Sequence, residues 1–142
     1  MKRLASLFVM VAYMAITQTS SAQALIGEDS TMVRNFVRTM YSDLNIAEGI
    51  EYTNTGKVLV FNIENEHFEL IDILKYQLND DGRVVKYSLF AHKDFLSAIY
   101  KRFRTNPEIK EDSGKFYEPD GTVWKIQQFR QIPYIEVIAE VQ

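Results

Sequence analysis

Phe68-Glu69-Leu70-Ile71-Asp72-Ile73-Leu74-Lys75-Tyr76-Gln77-Leu78, then Asn79-Asp80-Asp81-Gly82, then Arg83-Val84-Val85-Lys86-Tyr87-Ser88-Leu89-Phe90-Ala91 is the stretch that decides the fold. Two runs rich in β-branched and aromatic residues flank a polar cluster that ends in glycine, which is the signature of an antiparallel hairpin. Gly82 supplies the left-handed conformation such a turn needs, and Asn and Asp tolerate the other positions.

With Leu78 opposite Arg83, the side-chain alternation of a strand sorts this hairpin into two faces. Phe68, Leu70, Leu74, Tyr76 and Leu78 share one face with Val85, Tyr87, Leu89 and Ala91, and form the core side. Asp72 falls on that face and breaks the pattern. A β-bulge near Asp72 accounts for it, ahead of a buried functional carboxylate. Ile71, Ile73, Val84 and Phe90 fall on the other face among Lys75, Gln77, Lys86 and Ser88, with Ile71 across from Phe90.

Outward from the hairpin, apolar residues recur at helical spacing twice. Met32, Val33, Phe36, Val37, Met40, Tyr41 and Leu44 draw one stripe, with Asp29 or Ser30 as N-cap. Phe95, Leu96, Ile99, Tyr100 and Phe103 draw the other, ended by Thr105-Asn106-Pro107. Lys101, Arg102 and Arg104 in its last turn complement the helix dipole. Strands read at 50–52, 57–63, 115–118, 122–129 and 134–141, and the polar segment 108–114 reads as a mobile loop. In the last hairpin, pairing Phe129 with Tyr134 turns Trp124, Ile126, Gln128, Ile135, Val137 and Ala139 inward. Val123, Phe129, Tyr134 and Ile138 then face outward.

The predicted class is α+β: an antiparallel sheet covered on one face by two amphipathic helices. The order also reads as one helix-plus-strands unit used twice. The turn Tyr52-Thr53-Asn54-Thr55-Gly56-Lys57-Val58 matches Tyr117-Glu118-Pro119-Asp120-Gly121-Thr122-Val123 in its Tyr, Gly and Val spacing. This element order resembles small exported domains of the β-lactamase-inhibitor-protein type and the small outer-membrane-assembly lipoproteins. The resemblance implies a protein-binding role and carries no residue across, and the lipid-bearing cysteine of the second group is missing.

The N-terminus reads as an address. Met1-Lys2-Arg3 is a basic head, Leu4 to Ile16 an apolar core too short to span a membrane, and Ala22-Gln23-Ala24 a small-x-small exit. Residues 1–24 are therefore expected to be removed as a signal peptide, with cleavage after Ala22 as the second choice. A single domain remains over residues 25–142, secreted or periplasmic, with no membrane span. Losing Lys2 and Arg3 takes the formal net charge from −3 to −5. That balance offers no basic face for nucleic acid. The absence of cysteine excludes disulfides, thiolate chemistry and thiolate zinc sites.

Chemistry-bearing motifs are scarce. The same hairpin register sets Glu69 opposite His92 and His67 opposite Asp94, enough donors for zinc or another divalent ion. An ordinary polar strand end, with Asp94 at the start of the second helix, accounts for the same residues without a metal. No cofactor is called for. The outer sheet face is the stronger candidate: Ile71, Ile73, Phe90, Phe129, Tyr134 and Ile138 place apolar side chains where a sheet should be polar. The expectation is a non-enzymatic module that binds another protein or an envelope component through that face. A metal-dependent, hydrolase-like site at His67, Glu69, His92 and Asp94 is one alternative. A structural or assembly protein that self-associates through the same sheet is another.

The leader reading predicts that the intact mass of the exported product begins at Leu25 or Gln23. A product that retains Met1 contradicts it.

Overall fold

The computed structural model describes residues 24–141, and their propensities resolve into two helices and eight strands. Helix α1 (Ser30–Met40) precedes strands β1 (Asn45–Thr53), β2 (Gly56–Glu64), β3 (Leu70–Leu78) and β4 (Val84–His92). A 3-10 turn, Lys93–Phe95, leads into α2 (Leu96–Thr105). Strands β5 (Lys110–Asp112), β6 (Lys115–Tyr117), β7 (Thr122–Gln128) and β8 (Tyr134–Val141) follow. All eight strands join one antiparallel sheet in the order β1-β2-β3-β4-β8-β7-β6-β5. Each half is a four-strand meander, and the last strands of the two halves, β4 and β8, pair at the centre.

The expected covering of one face by two amphipathic helices is not what forms. About half of the described residues are strand, and the helices have only 11 and 10 residues. At 1.5 Å per residue each is about 16 Å long, against a sheet roughly 34 Å wide at about 4.8 Å per strand. Two such rods cannot cover it. Each helix buries only two side chains fully, Val33 and Val37 in α1, Ile99 and Phe103 in α2. The sequence stripe overstated α1: the helix stops at Met40, Tyr41 is its C-cap, and Met32 is exposed. Asp29 is the N-cap, accepting the Met32 N–H at 2.9 Å.

Within the segment expected to be a mobile loop, 108–114, Lys110–Asp112 form a strand. Asp112 pairs with Lys115 across Ser113 and Gly114, whose φ values of 52° and 77° make a two-residue primed turn. The sequence carried this signal in the Ser-Gly pair. The extra hairpin also undoes the proposed alignment of turns. Tyr52 to Val58 joins the first and second strands of its meander, whereas Tyr117 to Val123 joins the second and third of its own.

The central hairpin forms two residues away from the expected register. Ile73 pairs with Phe90, Leu74 with Leu89 and Tyr76 with Tyr87. A slip of two preserves the faces, so Leu74, Tyr76, Leu78, Tyr87, Leu89 and Ala91 are buried as predicted. A register shift at Gln77/Leu78 leaves Val85 over as an extra residue, and it is exposed rather than core. The turn is organised by Asn79, whose Oδ1 accepts the N–H groups of Asp81 at 3.0 Å and Arg83 at 2.9 Å. Phe68 and Leu70 also leave the core. Phe68 has φ 60° and is 74% exposed, and a shift at Ile63/Glu64 pairs Leu70 with Glu64. The last hairpin keeps its expected register, with Trp124 opposite Ala139 and Gln128 opposite Ile135.

Residues 1–23, which hold most of the leader reading, lie outside the described residues. Ala24 is buried in the core cluster. The segment after it is tied to β4: the Gly27 N–H donates to Val84 O at 2.8 Å, and the Val84 N–H donates to Glu28 O at 2.9 Å.

Leu89→Ala removes a buried large side chain and is expected to cost about 2–5 kcal/mol. Ala139→Leu overfills the centre of the sheet and is expected to cost about 1–3 kcal/mol. Chemical unfolding midpoints that stay unchanged in both variants would show that this face is not the core.

Candidate functional site

The bulges and turns that displaced Phe68 and Leu70 build a hollow on the face of the sheet away from the core. Ile73 and Phe90 are cross-strand partners there. Next along β3 come Ile71 and Leu70, where the shift at Ile63/Glu64 opens the strand end. On the far side, the Lys93 N–H donates to Pro133 O at 2.9 Å and pins the loop before β8 against the end of β4. Tyr134 pairs with His92, and their rings lie edge to face at 5.9 Å. The result is a pocket of about 210 Å³ lined by Leu70, Ile71, Asp72, Ile73, Phe90, Ile132 and Tyr134.

Four of the six residues expected on an outer binding face therefore meet here: Ile71, Ile73, Phe90 and Tyr134. Ile71 also belongs to the buried core cluster. The other two do not line the pocket. Ile138 is on this face but buried, its strand partners being Ser88 and Lys125 and its β8 neighbour Glu140 lying 3.8 Å from the Lys125 Nζ. Long charged side chains cover such positions with their stems. Phe129 lies beyond the end of β7 and is half-buried. Sequence reading missed Leu70 and Ile132, because a bulge and a loop placed them and neither follows strand alternation.

Phe90 and Val58 also border a second hollow of about 210 Å³, this one mixed in character, with Glu51, Lys75, Gln77, Lys86, Ser88 and Glu136 around it. Lys75 Nζ lies 3.6 Å from Glu51 and 5.8 Å from the centre of the Phe90 ring, within cation–π range.

The proposed ligand set does not assemble. His92 Nδ1 accepts the Asp94 N–H at 3.1 Å and lies 3.2 Å from that carboxylate. His67 faces Glu66 at 3.6 Å instead, and Glu69 accepts from the Asn65 amide at 2.9 Å. Asn65 holds this loop: its Oδ1 takes the N–H groups of His67 and Glu69. The two-residue difference in register is the physical reason, since it moves His92 away from Glu69. Among the described residues no group of three or more His, Asp or Glu is placed to hold a metal.

Among the described residues, Asp72 is the one buried acid. The bulge expected to re-aim it falls beside it, at Leu70 and Ile71, and leaves Asp72 on the core face opposite Ile63. Its Oδ2 has no hydrogen-bond partner, and burial pushes the carboxyl from 3.8 up to about 7. Tyr41 is held well above the usual phenol range, first by burial and then by the charges of Asp72 and Tyr76.

The chain matches no family model, no curated protein and no solved structure at a significant level, so its functional reading rests on this geometry. Among the described residues, no helix is long and apolar enough to cross a membrane.

Asp72 generates a pH dependence. The unfolded chain binds this proton only below about 3.9, while the folded chain holds it up to about 7. The stability contributed by protonated Asp72 is complete below the lower value and is lost as pH rises through the upper one. At about 1.4 kcal/mol per pH unit the gap corresponds to roughly 4 kcal/mol. Asp72→Asn is expected to flatten the decline in urea stability across this window and to be more stable than the parent at neutral to mildly alkaline pH. Parallel pH profiles of parent and variant would contradict it.

Proposed function

We propose that this chain is an exported, non-enzymatic binding module that receives one bulky apolar side chain of a partner protein, in the cell envelope or outside the cell, in the pocket between Ile73, Phe90, Ile132 and Tyr134. The observation that carries this reading is the pocket's lining, which is apolar apart from Asp72 and the Tyr134 hydroxyl and sits on a sheet face. Its size fits the occupant. A cavity of about 150 Å³ lined by Leu, Ile and Phe takes up benzene, and small-molecule sites run from about 300 Å³ upward. A volume of 210 Å³ suits a single aromatic or branched aliphatic side chain. Exposed apolar residues surround it: Leu70, Ile132 and Tyr134 are all exposed at its wall, and Phe68 precedes Leu70 by two residues. Partly wet aromatic and aliphatic groups of this kind are typical anchors of protein interfaces.

The metal-dependent alternative lacks a converging ligand set in this geometry. Self-association through the outer face remains distinguishable by solution mass.

Titration of the isotope-labelled protein with indole is expected to give saturable chemical-shift changes confined to residues around Ile73, Phe90, Ile132 and Tyr134. Phe90→Ala and Tyr134→Ala should abolish them while costing less than about 2 kcal/mol, below the roughly 3–5 kcal/mol of truncating a buried aromatic. Shifts that do not saturate, or variants that unfold the domain, would remove the reading.

A further inference from the structure

The two edges of the sheet are unlike. At one edge β5 is three residues long and charged, and Glu111 is held by Arg104 at 2.9 and 3.0 Å. Short, charged edges resist pairing with other chains. At the other edge β1 runs for nine residues, contains no proline or lysine, and pairs with β2 throughout without a bulge. Its core-side charge, Glu48, is neutralised by Arg34 and lies 3.6 Å from Arg38. The neighbouring apolar residues stay wet: Tyr52 is 81% exposed and Ile50 42%.

The direction of the free backbone groups follows from the turn. Thr53 and Gly56 close a two-residue connection as partners, and the closing pair of such a hairpin exchanges hydrogen bonds. Alternation then turns the backbone groups of Glu51, Gly49, Ala47 and Asn45 toward β2. Those of Ile46, Glu48, Ile50 and Tyr52 point off the sheet. Gly49 is the midpoint of the nine residues.

We propose that β1 is the seam of a twofold dimer, in which a second copy of this chain lays its own β1 antiparallel against it, centred on Gly49. Self-pairing about the midpoint satisfies the whole edge with no overhang and about eight hydrogen bonds. On the core side it sets Ile46 opposite the second copy's Tyr52 and Ile50 opposite the second copy's Glu48, whose charge Arg34 and Arg38 of its own helix offset, with the two Ile50 side chains in diagonal reach. On the outer side it sets Glu51 opposite Ala47, which keeps the two Glu51 carboxylates apart. An unrelated extended segment would have to supply this pattern independently, whereas a second copy carries it. The seam is about 27 Å long, at the small end of protein interfaces, so the dimer is reversible. This association uses the sheet edge and is independent of the pocket.

The chain has no cysteine, so a single introduced thiol reports only on contact between copies. In this register Gly49 and its mate form a non-hydrogen-bonded pair with Cα atoms about 4.5 Å apart, which is disulfide distance. A Cβ at Gly49 meets nothing within 4 Å. Under mild oxidation of the purified protein, Gly49→Cys is expected to give a covalent dimer about tenfold or more faster than Ala47→Cys, whose mate is out of disulfide reach. The parent is expected to rise from monomer toward twice that mass with concentration in sedimentation equilibrium. Ile50→Pro removes a donor that faces off the sheet, leaves the β1–β2 ladder intact, and should hold the protein at monomer mass. Equal cross-linking of the two cysteine variants, or a parent that stays monomeric at the highest concentration, would overturn the proposal. So would a mass doubling that survives Ile50→Pro and disappears in Tyr134→Lys, which would place the contact on the outer face.

Discussion

A continuous row of aromatic rings crosses the core, and a single alanine makes it possible. Phe61 meets Tyr76 at 6.1 Å, Tyr76 meets Tyr87 at 5.0 Å, and Tyr87 meets Trp124 at 6.0 Å. Trp124 then meets Phe103 of α2 at 5.4 Å, and Phe103 stacks on Phe116 at 4.6 Å. Tyr87 and Trp124 lie on β4 and β7, which are not neighbours; β8 runs between them and places Ala139 opposite both. With a methyl group at that point the two rings close over the central strand. A larger side chain there would part the two meanders at the line where they join. Edge-to-face and offset pairs of this kind add to area burial, and close packing leaves little room for adjustment.

Helix α2 docks on this row through Phe103. Val33 and Val37 of α1 belong to the same buried core cluster. Because the sheet carries most of the hydrogen bonding and most of the buried large side chains, its irregularities decide where surface chemistry appears. The shift at Ile63/Glu64 does two things at once. It ejects Leu70 from the core and opens the strand end that becomes the pocket. Asp72 lies just before the break, so regular alternation keeps it on the core face opposite Ile63, with one carboxylate oxygen unpartnered.

Much of the fold was legible because strand alternation has a period of two. Tyr76, Tyr87, Leu89, Trp124, Ile135 and Val137 went to the correct face, and they did so even where the register was off by two, because a slip of two exchanges no faces. The same robustness put Ile73, Phe90 and Tyr134 on the outer side, where they form most of the pocket. The hairpin of β5 and β6 was hidden because strands of three residues leave no periodic pattern to read. Helix α1 was overread because apolar residues at helical spacing continued past the C-cap at Tyr41, where the chain had already turned toward β1.

Taken alone, the amino-acid sequence determined the antiparallel sheet, its two principal hairpins, a helix cap at Asp29 or Ser30, the sorting of most side chains between two faces, and the absence of any cysteine chemistry. These are local matters of propensity, turn chemistry and alternation. Only the tertiary structure decided that β4 and β8 join the meanders, that a turn and two bulges send Phe68, Leu70 and Val85 to the surface, that the two histidines take separate partners, and that among the described residues β1 is an edge strand. Each of these depends on which strands meet and at what offset. That offset is set by the sum of many weak pairings across the sheet, which no short window of residues contains.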